Sequence, residues 1–166
     1  PIVQEVVAAS GVIMADLDRV AVTVGPGTFT GLRVGLAFAR GIGLGLGIPV
    51  IGISTTELAA SMTTALFAVG AHKAAGADIY VEVFKDGVRR MGPALMPLED
   101  ALTAIGALGG APVVAGTAGE EVATRLPGAR ALDVTALDPI VLARLSINRD
   151  PASAPPAPLY LRPPHI

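Results

Sequence analysis

Apolar positions recur at helical spacing from the first residues (Ile2 with Val6, Val3 with Val7), which predicts a helix over residues 2–10 ending at Gly11. The polar run MADLDR reads as a connection. The apolar run Val20–Val24 predicts a buried strand that enters the turn Gly25-Pro26-Gly27-Thr28. A long helix is predicted from about Thr30 to Leu46, and a short β-branched strand over Pro49–Ile53. Strand, helix and strand with short joins predict a right-handed parallel crossover.

Downstream, Ser54 and Glu57 form a capping box for a helix running to about Thr63. Strands are predicted at Leu66–Ala71 and Ile79–Phe84. Asp86-Gly87 is a hairpin signal, so Val88–Met91 pairs back antiparallel. A helix follows over Leu98–Leu108, entered through Pro97, and a strand over Pro112–Ala115. Thr117 and Glu120 form a second capping box for a helix to about Leu126. Asp138-Pro139 starts a last helix to about Ile147. From Asp150 the chain is rich in proline and cannot be helical throughout; its apolar centre, Leu159-Tyr160-Leu161, predicts a segment that docks on the body.

The long helix is apolar on nearly every side, so something covers it on every side. At about 100° per residue, Val34, Phe38, Ile42 and Leu46 share one side and read as core. Leu32, Leu36 and Leu44 fall opposite with Arg33 and Arg40, a mixture found on protein–protein surfaces and equally on buried helices whose arginines reach water. Small residues recur every fourth position, Gly31, Gly35, Ala39, Gly43 and Gly47, and make a stripe where another backbone can approach.

Composition narrows the function classes. Apolar residues are 52% of the 166, too many for a disordered chain. There is no cysteine, which removes disulfides and thiolate chemistry and suits a reducing cytoplasm. The formal net charge is −2, and only Lys73 and Lys85 are lysines. A chain that grips RNA by itself carries a basic surface, so this one is expected to meet RNA only through a complex. The longest uncharged run, Ala101–Gly119, is broken by Pro112 and five glycines and is no membrane span.

Candidate chemistry is sparse. Gly25, Gly27, Thr28 and Thr30 build a structural turn or a weak anion site at a helix N-terminus, but no lysine follows Gly31 as a Walker A loop requires. His72 and His165 are the only histidines and no paired-His helix exists, so no metal site is expected. Ser54 lacks the glycines of a nucleophile elbow. Asp78, Tyr80 and Glu82 share one strand face, which suits a cation or simply water. No constellation forms a catalytic site.

The run GPGTFTGLRVGLAFARGIGLGLGIPVIGIST resembles the signature of the TsaB (YeaZ) family. The likeness extends upstream through ADLDRVAVTV and downstream to YVEVFKDG and the terminal PLYLRPP. It implies an α/β protein of the actin-like ATPase (ribonuclease H-like) fold in two lobes. Residues 1–53 are then the remainder of the first lobe with the dimerisation helix, 54–148 the second, and 149–166 a docking tail. It implies a non-catalytic, dimerising scaffold subunit in the making of threonylcarbamoyladenosine (t6A) next to the tRNA anticodon. That subunit pairs with itself and with the catalytic paralogue TsaD, and works with the ATPase TsaE. ATP or ADP belongs to the complex, and no cofactor is assigned to this chain. The resemblance places Gly31, Leu32, Arg33, Gly35, Leu36, Ala39, Arg40 and Gly43 at an interface.

Two departures stand out. The family's opening strands with their acidic loop are absent, so the first lobe is expected to be N-terminally incomplete, with an open strand edge and no nucleotide of its own. The run Ala71-His72-Lys73-Ala74-Ala75-Gly76-Ala77-Asp78 replaces the family's basic one. An actin-like ATPase acting alone and a glycoprotease-like peptidase are the alternatives; the first needs phosphate at the GPGTFTG turn, the second a metal.

Overall fold

Two parallel strands form the first sheet of the computed structural model, which describes residues 2–134 and 136–161. Helix α1 (Ile2–Ser10) and a turn of 3-10 helix at Met14–Asp16 lead into β1 (Val20–Gly25). Helix α2 (Phe29–Leu46) crosses over to β2 (Val50–Ser54), which pairs in register Val20 with Val50 and Val22 with Gly52. Gly47 ends α2 in the left-handed region at φ 68°, its amide donating to the Gly43 carbonyl. Among the described strands β1 pairs with β2 alone.

Helix α3 (Thr55–Ala60) starts where β2 stops. Ser54 Oγ accepts the Glu57 amide at 2.9 Å, the predicted cap. The helix is shorter than its pattern suggested, because Ser61 to Ala65 turn directly into the second sheet.

That sheet has the order β5-β4-β3-β6-β7. The strands are β3 (Phe67–Lys73), β4 (Asp78–Lys85), β5 (Val88–Pro97), β6 (Val113–Ala115) and β7 (Arg130–Leu132). The β4–β5 hairpin turns at Asp86 and Gly87, both with positive φ. β5 runs on beyond Met91 to Pro97, and β7 has no counterpart in the pattern reading: only three residues long, it carries no alternation to detect. Helices α4 (Leu98–Ala107) and α5 (Gly119–Ala123) bury Ile105 and Val122 against Val69, Val81, Val83 and Val114. The predicted Thr117 cap does not form. Thr117 Oγ1 instead accepts the Lys73 amide at 2.9 Å and ties α5 to the end of β3.

Strand alternation sends Val69, Val81 and Val83 to the α4–α5 face, and Gly70 and Glu82, which are cross-strand partners, to the other. There α3 lies directly on the strand: a Cβ on Gly70 would overlap the Thr56 carbonyl.

Helix α6 (Pro139–Ile147) is capped by Asp138 Oδ1, which accepts the Ile140 amide at 2.7 Å. It was expected in the second lobe, but it packs on β1 and β2, where Leu142 and Leu145 join Ile51, Ile53 and Leu58. The first lobe therefore includes residues from both ends of the chain. The tail follows it: the Gly52 amide donates to the Ala154 carbonyl at 2.9 Å and the Leu159 amide to the Val24 carbonyl at 2.8 Å. No helix among the described residues is long and apolar enough to cross a membrane.

Candidate functional site

Helix α2 decides what the first lobe can do, because one side of it is sealed and the other is open. Leu36, Ala39 and Gly43 are buried, and Leu36 is only 3% exposed. A Cβ on Gly43 would overlap the Val50 side chain, so the small residues there let the helix lie close against β2. The opposite side carries Val34, Phe38 and Leu44 at 64, 55 and 88% exposure, interleaved with exposed Ala37, Gly41 and Gly45. The expected orientation is reversed for Val34, Phe38 and Leu36, whereas Leu44, Arg33 and Arg40, placed on the side away from the core, are exposed. Val34 and Phe38 face outward, while Leu36, Ala39 and Gly43 serve this chain's own core and are unavailable to a partner. Close approach to a two-stranded layer favours the small residues, and the bulky ones are left outside.

The remaining interface candidates divide. Arg33 and Arg40 are exposed, Gly31 is exposed and Gly35 partly so. The Arg33 guanidinium lies 3.7 Å from the Phe29 ring centroid and near Tyr160 Oη at 3.3 Å. Leu32 turns back over Gly25 and lines a small 110 Å³ pocket with Phe29, Tyr80 and Leu159.

Helix α1 stands beside α2 and buries none of its residues; Ile2 is 76% exposed. Between the two helices runs an open apolar groove of about 910 Å³, lined by Val3, Val7, Met14, Phe38 and Ile42 among others. Nine residues in water do not hold a helix by propensity, so α1 depends on its apolar side being covered.

A second concavity lies between the lobes. Pro26, Gly27 and Thr28 line one wall; His72, Lys73, Tyr80 and Thr117 line the other, around about 400 Å³. Gly25 holds a φ of 112° that favours glycine, and Thr28 is the N-cap residue of α2, though its side chain makes no capping bond. Thr30 lies inside the first turn. Burial pushes the His72 imidazole below its ordinary pKa, with the Thr55 carbonyl acting weakly in the opposite sense. Its Nδ1 faces Thr117, and its buried Nε2 makes no well-formed hydrogen bond. Lys73 pairs with Glu121 at 3.3 Å. Among the described residues no three His, Asp or Glu side chains gather to hold a metal ion.

Residues 1–130 match the family model described as TsaD, tRNA N6-adenosine threonylcarbamoyltransferase. An uncharacterized protein of Mycobacterium tuberculosis is 35% identical over 99% of this chain and 73% of its own length. The tRNA threonylcarbamoyladenosine biosynthesis protein TsaB of Escherichia coli is 44% identical over 55 residues, 33% of this chain and 24% of that protein. A crystal structure of a protein from Pseudomonas aeruginosa with similarity to peptidase YeaZ superposes with a TM-score of 0.73 at 25% identity, over 96% of this chain and 81% of that one. The chain belongs to the TsaB (YeaZ) family.

The two lobes are accordingly those of the actin-like ATPase (ribonuclease H-like) fold. Within this TsaB-family chain, the cleft walls are the GPGT turn and the ends of β3 and β4, so the motif that carries the family likeness borders both the cleft and the open helix face.

One group of residues escaped the sequence reading. Glu82 was placed on a strand face shared with Asp78 and Tyr80, open to water or a cation. It is fully buried, because α3 covers that end of β4, whereas Tyr80 lies at the cleft. Ser54 Oγ and Thr56 Oγ1 donate to Glu82 Oε2, the latter at 2.7 Å, and Arg89 Nε lies 2.7 Å from Oε1. Burial pushes the Glu82 carboxyl above its ordinary pKa, outweighing those hydrogen bonds and the Arg89 charge. Glu57, also buried, pairs with Arg89 at 3.1 Å and with Arg149. The signal was a single carboxylate between Val81 and Val83 in an otherwise aliphatic strand.

Proposed function

We propose that this protein is a non-catalytic scaffold subunit for the threonylcarbamoylation of adenosine 37 in tRNA. It acts in the cytoplasm with a TsaD-type catalytic partner and a TsaE-type ATPase, and meets tRNA through that complex. Membership of the TsaB family supports the pathway. The uncovered α1–α2 face supports the scaffold role, and it is the observation that carries this reading. Val34, Phe38 and Leu44 on α2 and Ile2 and Val6 on α1 are exposed, as are Ala37, Gly41 and Gly45, small residues at which a second helix pair can approach backbone to backbone. A second copy or the TsaD-type partner covers it. Leu36, Ala39 and Gly43, buried in this chain's own core, lie outside that surface.

The reading is tested by reconstitution. The TsaD-type and TsaE-type proteins of the same cell, ATP, an activated threonylcarbamoyl donor and unmodified tRNA are combined with and without this chain, and t6A is measured by mass spectrometry. Product should form only when the chain is present. Equal product without it contradicts the proposal.

A further inference from the structure

Two carboxylates held out of water are costly, and a chain keeps them where their geometry does something that apolar packing does not. Among the described elements, Glu57 and Glu82 sit at the one that packs substantially on both lobes. Helix α3 contacts β3, β4 and β6 on one side and β1, β2 and α6 on the other, and no other described helix or strand spans the boundary to a comparable degree. The lobes therefore have a pivot, and the charges surround it.

The two arginines reach the pivot from opposite lobes. Arg89 belongs to β5 and bridges Glu82 at 2.7 Å and Glu57 at 3.1 Å. Arg149 follows α6 and pairs with Glu57 from the first lobe. It is held to that lobe from both directions. Before it, the Ser146 carbonyl accepts from Arg19; after it, the tail bonds to Gly52 and Val24. A lobe rotation about α3 that carries the first lobe away from the pivot pulls Arg149 from Glu57.

We propose that Glu57, Glu82, Arg89 and Arg149 form a charge lock that fixes the angle between the lobes, with Arg149 as its releasable arm. The burial pattern supports the assignment of the arm. The Glu57 and Glu82 side chains are 7% and 0% exposed, whereas Arg149 is 31% exposed, so water can take up the guanidinium as it leaves. Release widens the cleft between Pro26-Gly27-Thr28 and His72-Lys73-Thr117, because those walls stand on different lobes. Arg89 stays with Glu82 and keeps the second lobe's half of the lock intact.

The absence of cysteine makes the test direct, since introduced labels have no background. Spin labels at Ala143→Cys on α6 and Ala75→Cys in the β3–β4 turn report the lobe-to-lobe distance by pulsed electron resonance, in an excess of unlabelled chain. The parent should give one narrow distribution. Arg149→Met should raise the long-distance population about tenfold, while Arg149→Lys and the exposed neighbour Asp150→Asn keep the parental profile. An unchanged distribution in Arg149→Met overturns the lock, and so does an equal shift in Asp150→Asn, which marks a general charge effect. If Arg149→Met does not fold by circular dichroism, Glu57→Gln decides in its place: broadening supports the lock, and a parental distribution overturns it.

Discussion

The two lobes bury their apolar residues in different ways. The second lobe seals its five strands with α4 and α5 on one face and α3 on the other, and Val69, Val81, Val83, Val114 and Val122 are completely inside. The first lobe has two described strands and a smaller core of Ile51, Ile53, Leu58 and Ala154, yet it carries the longest of the described helices. A five-stranded sheet offers enough surface to cover its helices, and a two-stranded one does not. The surplus shows as the open faces of α1 and α2. Among the described residues the apolar faces of the second lobe are covered, whereas α1 and α2 keep open ones.

The strongest way to sharpen this contrast is to overload each tight contact. Gly70→Ala would press a methyl into the Thr56 carbonyl where α3 meets β3 and should cost about 3 kcal/mol or more, lowering the melting temperature by about 10 °C. Leu36→Glu, which buries an unpaired charge inside the first lobe, should do the same. Val34→Glu, two residues away on the open side, should leave the melt nearly unchanged. If Val34→Glu unfolds the chain as readily as Leu36→Glu, the two sides of α2 are not different.

Acid separates the cleft from the open face. The folded His72 pKa lies below its ordinary 6.5, so its contribution to stability is present above that value and is lost as pH falls through the lowered one. Glu82 acts oppositely. Its folded pKa is raised, so its contribution is full below the usual carboxylate range and is lost as pH rises through the raised value. Urea midpoints measured downward from pH 7 should therefore fall less steeply for His72→Gln than for the parent, and the gap between them should narrow with acid. Parallel curves would contradict the burial of His72.

The smallest effect belongs to the second lobe's surface. Arg125 grips Glu99 with two nitrogens and holds its carboxyl below the ordinary range, but both groups stand in water. Glu99→Gln should move the melting temperature by about a degree or less.

Much of this architecture is legible in the residues. Period-two and period-3.6 patterns place most strands and helices, and the Ser54 and Asp138 caps form as their chemistry dictates. The direction of α2 was not legible, because a helix apolar all round has no preferred side on a wheel. The choice fell to how closely β2 lets it approach, and Ala39 and Gly43 meet that demand where Phe38 cannot. α6 was assigned to the wrong lobe for a related reason: chain order does not reveal that it crosses back to cover β1 and β2. The Glu57–Glu82 cluster is hidden from the sequence because its members come from four separate segments and meet only after α3 settles on Gly70.

The central claim is that the α1–α2 face is an interface. Sedimentation velocity of the parent and Phe38→Glu over a range of concentrations tests it most directly. The parent should associate, with itself or with an added TsaD-type partner, and Phe38→Glu should weaken that association about thirtyfold while the monomer keeps its circular dichroism spectrum. Equal association by the two proteins would contradict it.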